Sequence, residues 1–301
     1  MKNYITLQYY WKKIIKLLTI FWSVIVLIKK IPEIDFVTEM NKIKKEGFVP
    51  TLRKGNTGIG FTLETRLGIR ENNYAKGDFV DNKTYKGTLF ELKSQRFLKK
   101  DPRKLKIAKN SHLISLVTQA PHNGMSNREL LKEFGYPDSK GRNRKNLYAT
   151  ISAGRRINSK YDSISKMEIK REGDILHLIV DGWGKVANVD LSKILCKLED
   201  LIVVRADSEW KKCSCNNTDL HDKDGYHEYF HFNNPCIFRK FNKQKFYNAI
   251  DNGEIKYDLR MHKPNENSDG EEDYDTKHDH GTGFRAKFEN ISLFYDEVNE
   301  I

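Results

Sequence analysis

The sequence predicts an α/β domain in which helices flank a mixed β-sheet, and three observations point there. Residues 34–47 place Ile34, Phe36, Val37, Met40 and Ile43 at helical intervals with charges between them. Residues 88–95 and 113–119 read as strands, and residues 167–180 read as a hairpin turning at Glu172, Gly173 and Asp174. Helices interleaved with strands of this kind build a sheet with helical cover.

The chain has 301 residues, enough for one large domain or two small ones. Hydrophobic residues make up 38% and aromatics 11%, which supplies a core and excludes global disorder. A net charge of +12 favours an anionic partner: nucleic acid, a membrane surface or an acidic protein. Cys196, Cys213, Cys215 and Cys236 are too few in so long a chain to form a disulfide framework. A reducing, cytoplasmic location is the simplest inference.

Residues 1–33 differ from the rest. Residues 17–28 form a mostly apolar run bracketed by Lys12, Lys13, Lys29 and Lys30. The run falls short of the roughly 20 residues of a membrane span, and no small-residue cleavage site follows it. A membrane anchor, an amphipathic appendage, or translated sequence upstream of the true start are the three readings. The last is preferred, because Met40 offers a start shortly before the first motif.

Pro50 ends the first helix, and a second is expected over residues 60–69, with Phe61, Leu63 and Leu67 as its apolar face and Glu64 near its first turns. Asp78 follows Gly77, and a turn-rich insert covers residues 81–87. The strand at 88–95 then carries Glu91, Leu92 and Lys93. Strand side chains alternate with period two, so Glu91 and Lys93 point one way and Leu92 points into the core. A carboxylate able to hold Mg²⁺ and an ammonium able to handle an attacking water then stand side by side. Alone the triplet is weak, since charged-apolar-charged runs arise by chance in lysine-rich chains, and a single Glu such as Glu64 is ordinarily a solvated helical residue. Residues 93–109 add eight basic residues and one acid, which reads as a phosphate-contacting edge.

Residues 113–119 read as a buried strand. Residues 140–160 hold seven Lys or Arg and no acid, interleaved with Asn, Ser and Gly. They read as a backbone-contacting loop too polar for the core. Asp190 caps a helix running to about residue 198, and residues 201–205 form a further strand. Cys213 and Cys215, with His221, His227, His231 and Cys236, invite a zinc reading, but the spacing fits no common zinc pattern. An irregular surface excursion is the preferred interpretation. Residues 243–251 are helical and closed by Gly253, residues 254–261 alternate as a strand, and an acidic linker spans 265–275. Beyond it His278, Asp279, His280 and Arg285 cluster around two glycines, a loop able to offer donors to guanine edges in duplex DNA. A metal site of His278, Asp279 and His280 is the competing idea, disfavoured because adjacent residues seldom converge on one ion.

Two distant segments, GNTGIGFTLE…GDF…FELKSQR and KYDLR…KHDHGTGFR, together resemble the MvaI/BcnI family of type II restriction endonucleases. The likeness covers roughly residues 34–295, and its catalytic half is also similar to the mismatch-repair nickase MutH. The resemblance implies a restriction-endonuclease-like, PD-(D/E)xK α/β core whose catalytic lobe (34–165) and recognition lobe (166–301) clamp duplex DNA. It matches Glu64 to the family's helical glutamate, Asp78 and Glu91 to its metal ligands, and Lys93 to its catalytic lysine. Arg260, His278 and Arg285 match residues that read bases. It also implies Mg²⁺ as cofactor, a monomer, cleavage at a CCWGG- or CCSGG-like site, and a partner methyltransferase. Twelve residues separate Asp78 from Glu91, more than is usual in the family, so Asp81 is an alternative ligand. A MutH-like nickase and a DNA-binding protein with a decayed nuclease site are the rival functions.

Overall fold

The computed structural model describes residues 31–70, 77–102, 108–109, 113–139, 144–155, 157, 159–212, 218–222, 224–262, 279 and 281–301. The apolar N-terminal run, Cys213, Cys215, the acidic linker, His278 and His280 lie outside them. No helix among the described residues is long and apolar enough to cross a membrane.

The main sheet runs β1 (Glu33–Ile34), β3 (Phe79–Asp81), β4 (Leu89–Lys100), β13 (Leu201–Lys212), β14 (Tyr226–Phe241) and β17 (Tyr295–Glu300). Two short strands, β2 (Val49–Pro50) on β14 and β5 (Ala108–Lys109) on β4, lie off this path. The sheet is mixed: β1 with β3 and β4 with β13 are parallel, whereas β3 with β4 and β13 with β14 are antiparallel. A second sheet runs β10 (Met167–Glu172), β11 (Ile175–Val180), β12 (Gly184–Asp190) and β7 (Asn123–Gly124). The third runs β6 (Ile114–Thr118), β16 (Gly283–Ala286), β15 (Ile255–His262), β9 (Lys145–Ile151) and β8 (Tyr136–Pro137).

The main sheet separates two cores, and the strand period decides which residue joins which. Leu92, Ile202 and Val204 pack with Phe36, Met40 and Ile43 of α1 (Phe36–Glu46) and with Ile59 and Leu63 of α2 (Gly58–Arg66). Leu201, Val203 and Phe238, one step out of phase, join the core shared with the other two sheets. In that larger core lie α3 (Asn127–Phe134), α4 (Asp162–Ser165), α5 (Lys243–Asp251) and α6 (Phe288–Ile291), through Leu130, Ile164, Phe246 and Ile291. Helix α3 begins with a capping box, Ser126 bonding the Glu129 N–H while Glu129 reaches back to Ser126 N–H.

Several expectations change. Residues 145–151 are a strand and not a loop: Leu147, Ala149 and Ile151 are buried while the polar residues between them face outward. The segment looked too polar for the core because half of a two-faced strand is polar. Of the region read as an irregular excursion, residues 226–236 belong to the long strand β14, which carries His227, His231 and Cys236. The helix after Asp190 is two short 3₁₀ turns, with Asp190 accepting from Ser192 N–H at 3.0 Å. Strands β13, β14 and β17 lie in the same sheet as β4.

Candidate active site

Three of the sequence-selected residues meet at β4. Glu91 and Lys93 share a face, as the register with Leu201 and Val203 requires, and their side chains form an ion pair. Asp78 lies just before β3, which pairs with β4 only at Phe90 and Leu89. Just past that pairing, at Leu92, the Asp78 carboxylate caps the β4 edge: its Oδ2 accepts from Leu92 N–H at 2.7 Å. The Asp78 N–H in turn donates to Phe90 O at 2.7 Å. Gly77 makes this approach possible, with φ +69° and a hypothetical Cβ only 2.8 Å from Leu89 Cγ. Burial pushes the Asp78 carboxyl above its ordinary range, the Glu91 charge adds to the rise, and Leu92 N–H and Lys93 oppose it. Two close carboxylates, one of them reluctant to ionise, suit a cation that would relieve their repulsion.

Glu64 sits on α2, which packs against β4. A Cβ on Gly60 would lie 3.7 Å from Glu64 Oε1 and 3.5 Å from Ser94 Oγ, ordinary contact distances that set both side chains around Gly60. Glu64 thus stands next to the residue that follows Lys93.

Asp81 does different work. It is fully buried, and its carboxylate accepts from three backbone N–H groups: Phe36 at 3.1 Å, Lys83 at 3.2 Å and Tyr85 at 2.6 Å. These bonds fold the 82–87 insert into a tight loop and tie it to the start of α1, while Tyr85 packs edge-on against Phe90. The insert therefore loops out with Asp78 kept at β4. Asp81→Ala should lower stability by about 1–3 kcal/mol, because buried N–H groups lose their acceptor. Urea unfolding measures this, and a change below about 0.5 kcal/mol would mean that solvent reaches those groups.

The basic flank is partly structural. Arg96 holds the buried Glu228 through Nε and Nη2 at 2.8 and 2.9 Å and donates to Gly55 O and Asn56 O, bracing the turn that leads into α2. Asp200, missed in the sequence, accepts the Glu91 N–H through its carbonyl at 3.0 Å and pairs with Arg239. Its acid sits too far from any local motif to have been noticed.

The other polar cluster lies on the third sheet. Pairing of Asp258 with Thr150 and of Arg260 with Tyr148 puts these four on one face with His262, opposite the buried Tyr257, Leu259 and Met261. Asp258 is fully buried; its Oδ2 lies 2.6 Å from Arg260 Nε and 2.5 Å from Arg285 Nε, and its Oδ1 accepts from Thr150 at 2.7 Å. Asp258 was not singled out in the sequence, although its two-residue spacing from Arg260 on an alternating strand was the available signal. Asp279 Oδ1 accepts from Gly281 and Thr282 N–H at 3.0 and 2.6 Å, so this carboxylate shapes the loop proposed to hold the histidines. Among the described residues no group of three or more His, Cys, Asp and Glu converges on a metal position.

A mixed sheet with helical cover that brings Asp78 to the strand carrying Glu91 and Lys93 has the restriction-endonuclease-like form, the class of site-specific deoxyribonucleases. The MvaI/BcnI restriction endonuclease family model matches residues 37–295, and the chain belongs to that family. Among solved structures, the restriction endonuclease MvaI in complex with its cognate DNA substrate superposes with a TM-score of 0.63 at 23% identity, over 87% of this chain and 95% of that one. MvaI in the absence of DNA aligns at 20% identity over 88% and 95%, with a TM-score of 0.43. No match was found among curated proteins.

Proposed function

We propose that the chain is a type II enzyme that hydrolyses duplex DNA with Mg²⁺ at a short pseudopalindromic site of the CCWGG or CCSGG kind, leaving 5′-phosphate ends. The observation that carries this reading is the meeting of Asp78 with Glu91 and Lys93 of β4. Two carboxylates suit Mg²⁺, which keeps several waters and completes its shell with substrate phosphate oxygens. When bound, the ion polarises the phosphoryl group and lowers the pKa of a water. Asp78 and Glu91 hold it in place, the cation offsetting the burial and the Glu91 charge that disfavour an ionised Asp78. Lys93, now paired with Glu91, turns to the attacking water and the phosphate oxygens, orienting the one and offsetting the charge that grows on the others. Glu64 supports the site from α2.

Duplex DNA as partner rests on family membership and on the DNA-bound MvaI structure that this fold resembles. Arg260 and Arg285 are the base-reading candidates on the third sheet, and His278 and His280 are proposed as further readers. The enzyme would work as a cytoplasmic monomer, cut one strand before the other, and be paired with a methyltransferase that protects the host site.

Digestion of a sequenced plasmid with Mg²⁺, followed by mapping of the ends, tests this reading. Double-strand breaks at one repeated short sequence are expected; nicks confined to hemimethylated DNA would favour the MutH-like alternative. Arg285→Ala should reduce discrimination at one base pair by about 1–3 kcal/mol. Competition between duplexes differing at single positions measures it, and equal weakening on every sequence would make Arg285 a phosphate contact.

A further inference from the structure

Arg205 stands apart from the other arginines of the main and third sheets. Arg96, Arg239, Arg260 and Arg285 each face a carboxylate. Arg205 has none among the described residues, and its fully buried Nε has no hydrogen-bond partner. The guanidinium is instead held between two rings, 4.6 Å from the centroid of Phe97 and 3.8 Å from that of Phe288. Such stacking steadies a cation without neutralising it, and leaves its in-plane N–H donors for an acceptor elsewhere. Arg205 as a whole keeps partial exposure although its Nε is buried.

Register places this charge. Lys93 pairs with Val203 and Gln95 with Arg205, so Arg205 shares the face of Glu91 and Lys93, two residues further along. Two strand residues span about 7 Å, a displacement that an arginine side chain can extend or shorten. Phe288 opens α6, directly after β16, the strand that carries Arg285. The guanidinium therefore sits where the strand of the candidate catalytic cluster meets the end of a candidate recognition strand.

We infer that Arg205 binds a backbone phosphate of the substrate strand beside the scissile one. A fixed, unpaired guanidinium is incomplete without an anion, and a phosphodiester offers oxygens to its fork of donors. The contact holds the strand in register over Asp78, Glu91 and Lys93 without reading sequence. This inference rests on the nuclease reading above.

The test is binding of a mixed-sequence duplex, with Ca²⁺ replacing Mg²⁺, across a salt series. Arg205→Gln should weaken binding and lower the log–log salt slope by about one phosphate contact, while Arg205→Lys keeps most of the slope. An unchanged slope in Arg205→Gln, with only a fall in melting temperature, would make Arg205 a structural prop and overturn the inference. If Arg205→Gln does not fold, a methylphosphonate scan with the unmodified protein decides. Loss of cleavage when one phosphate next to the mapped cut is neutralised supports the contact, and full cleavage at every flanking position refutes it. Failure of the unmodified protein to bind duplex at all would instead remove the nuclease reading itself.

Discussion

Lys93→Ala should lower the proposed Mg²⁺-dependent cleavage by at least about a hundredfold while DNA binding in Ca²⁺ persists. The size follows from the roles given to Lys93: orienting or deprotonating the water, and facing developing charge, where a single positioned group contributes about 10²–10⁴-fold. The fold should survive the change. Lys93 is a partly exposed side chain whose partner Glu91 is also solvent-accessible, at 25% and 18% exposure, so neither is left as a buried lone charge. Single-turnover cleavage of a mapped site measures the effect. Undiminished cleavage by the alanine variant would withdraw the catalytic role of Lys93 and require another group to manage the water.

Asp258→Ala should be the most destabilising single change on the third sheet, by about 3 kcal/mol. One fully buried carboxylate lies against two guanidiniums and also accepts the Thr150 hydroxyl. Removing it leaves two like charges facing each other with no counter-charge between them. Arg260 is 41% exposed and Arg285 20%, so solvent screens part of the loss, which places the expectation at the lower end of the range for a broken buried pair. Asp258→Asn keeps the shape and an acceptor for Thr150 and should lose less. Urea unfolding of the two variants gives the comparison. If Asp258→Ala unfolds within about 0.5 kcal/mol of the unmodified chain, the two arginines do not depend on this carboxylate for their placement.

Much of the fold was legible wherever one periodicity ran unbroken. The α1 helix, the β10–β11 hairpin, the α5 helix and the β4 strand follow from spacing that each segment carries within itself. The reading failed where polar residues served a tertiary purpose. The strand Lys145–Ile151 offers only every second residue to the core, and its charged neighbours hid that alternation. The first half of β14 reads as an irregular excursion because His and Asn residues interrupt it, although the partner strand and α1 bury its Phe230 and Phe232.

The proposed site divides along the same line. That Glu91 and Lys93 share a face is a property of any strand, so the local sequence was sufficient to place them together. Asp78 and Asp81 are not separable on that ground, for one precedes and the other ends the same three-residue strand. Their difference lies in what surrounds them: Leu92 N–H draws Asp78 to the open edge of β4, whereas Phe36, Lys83 and Tyr85 N–H groups enclose Asp81. Arg205 shows the same dependence on distant chain, since its neighbours Gln95, Phe97 and Phe288 come from far upstream and far downstream. Side-chain direction is set by backbone period over a few residues, but the partners a polar group meets are set by pairing across the whole chain, and only folding brings those partners within reach.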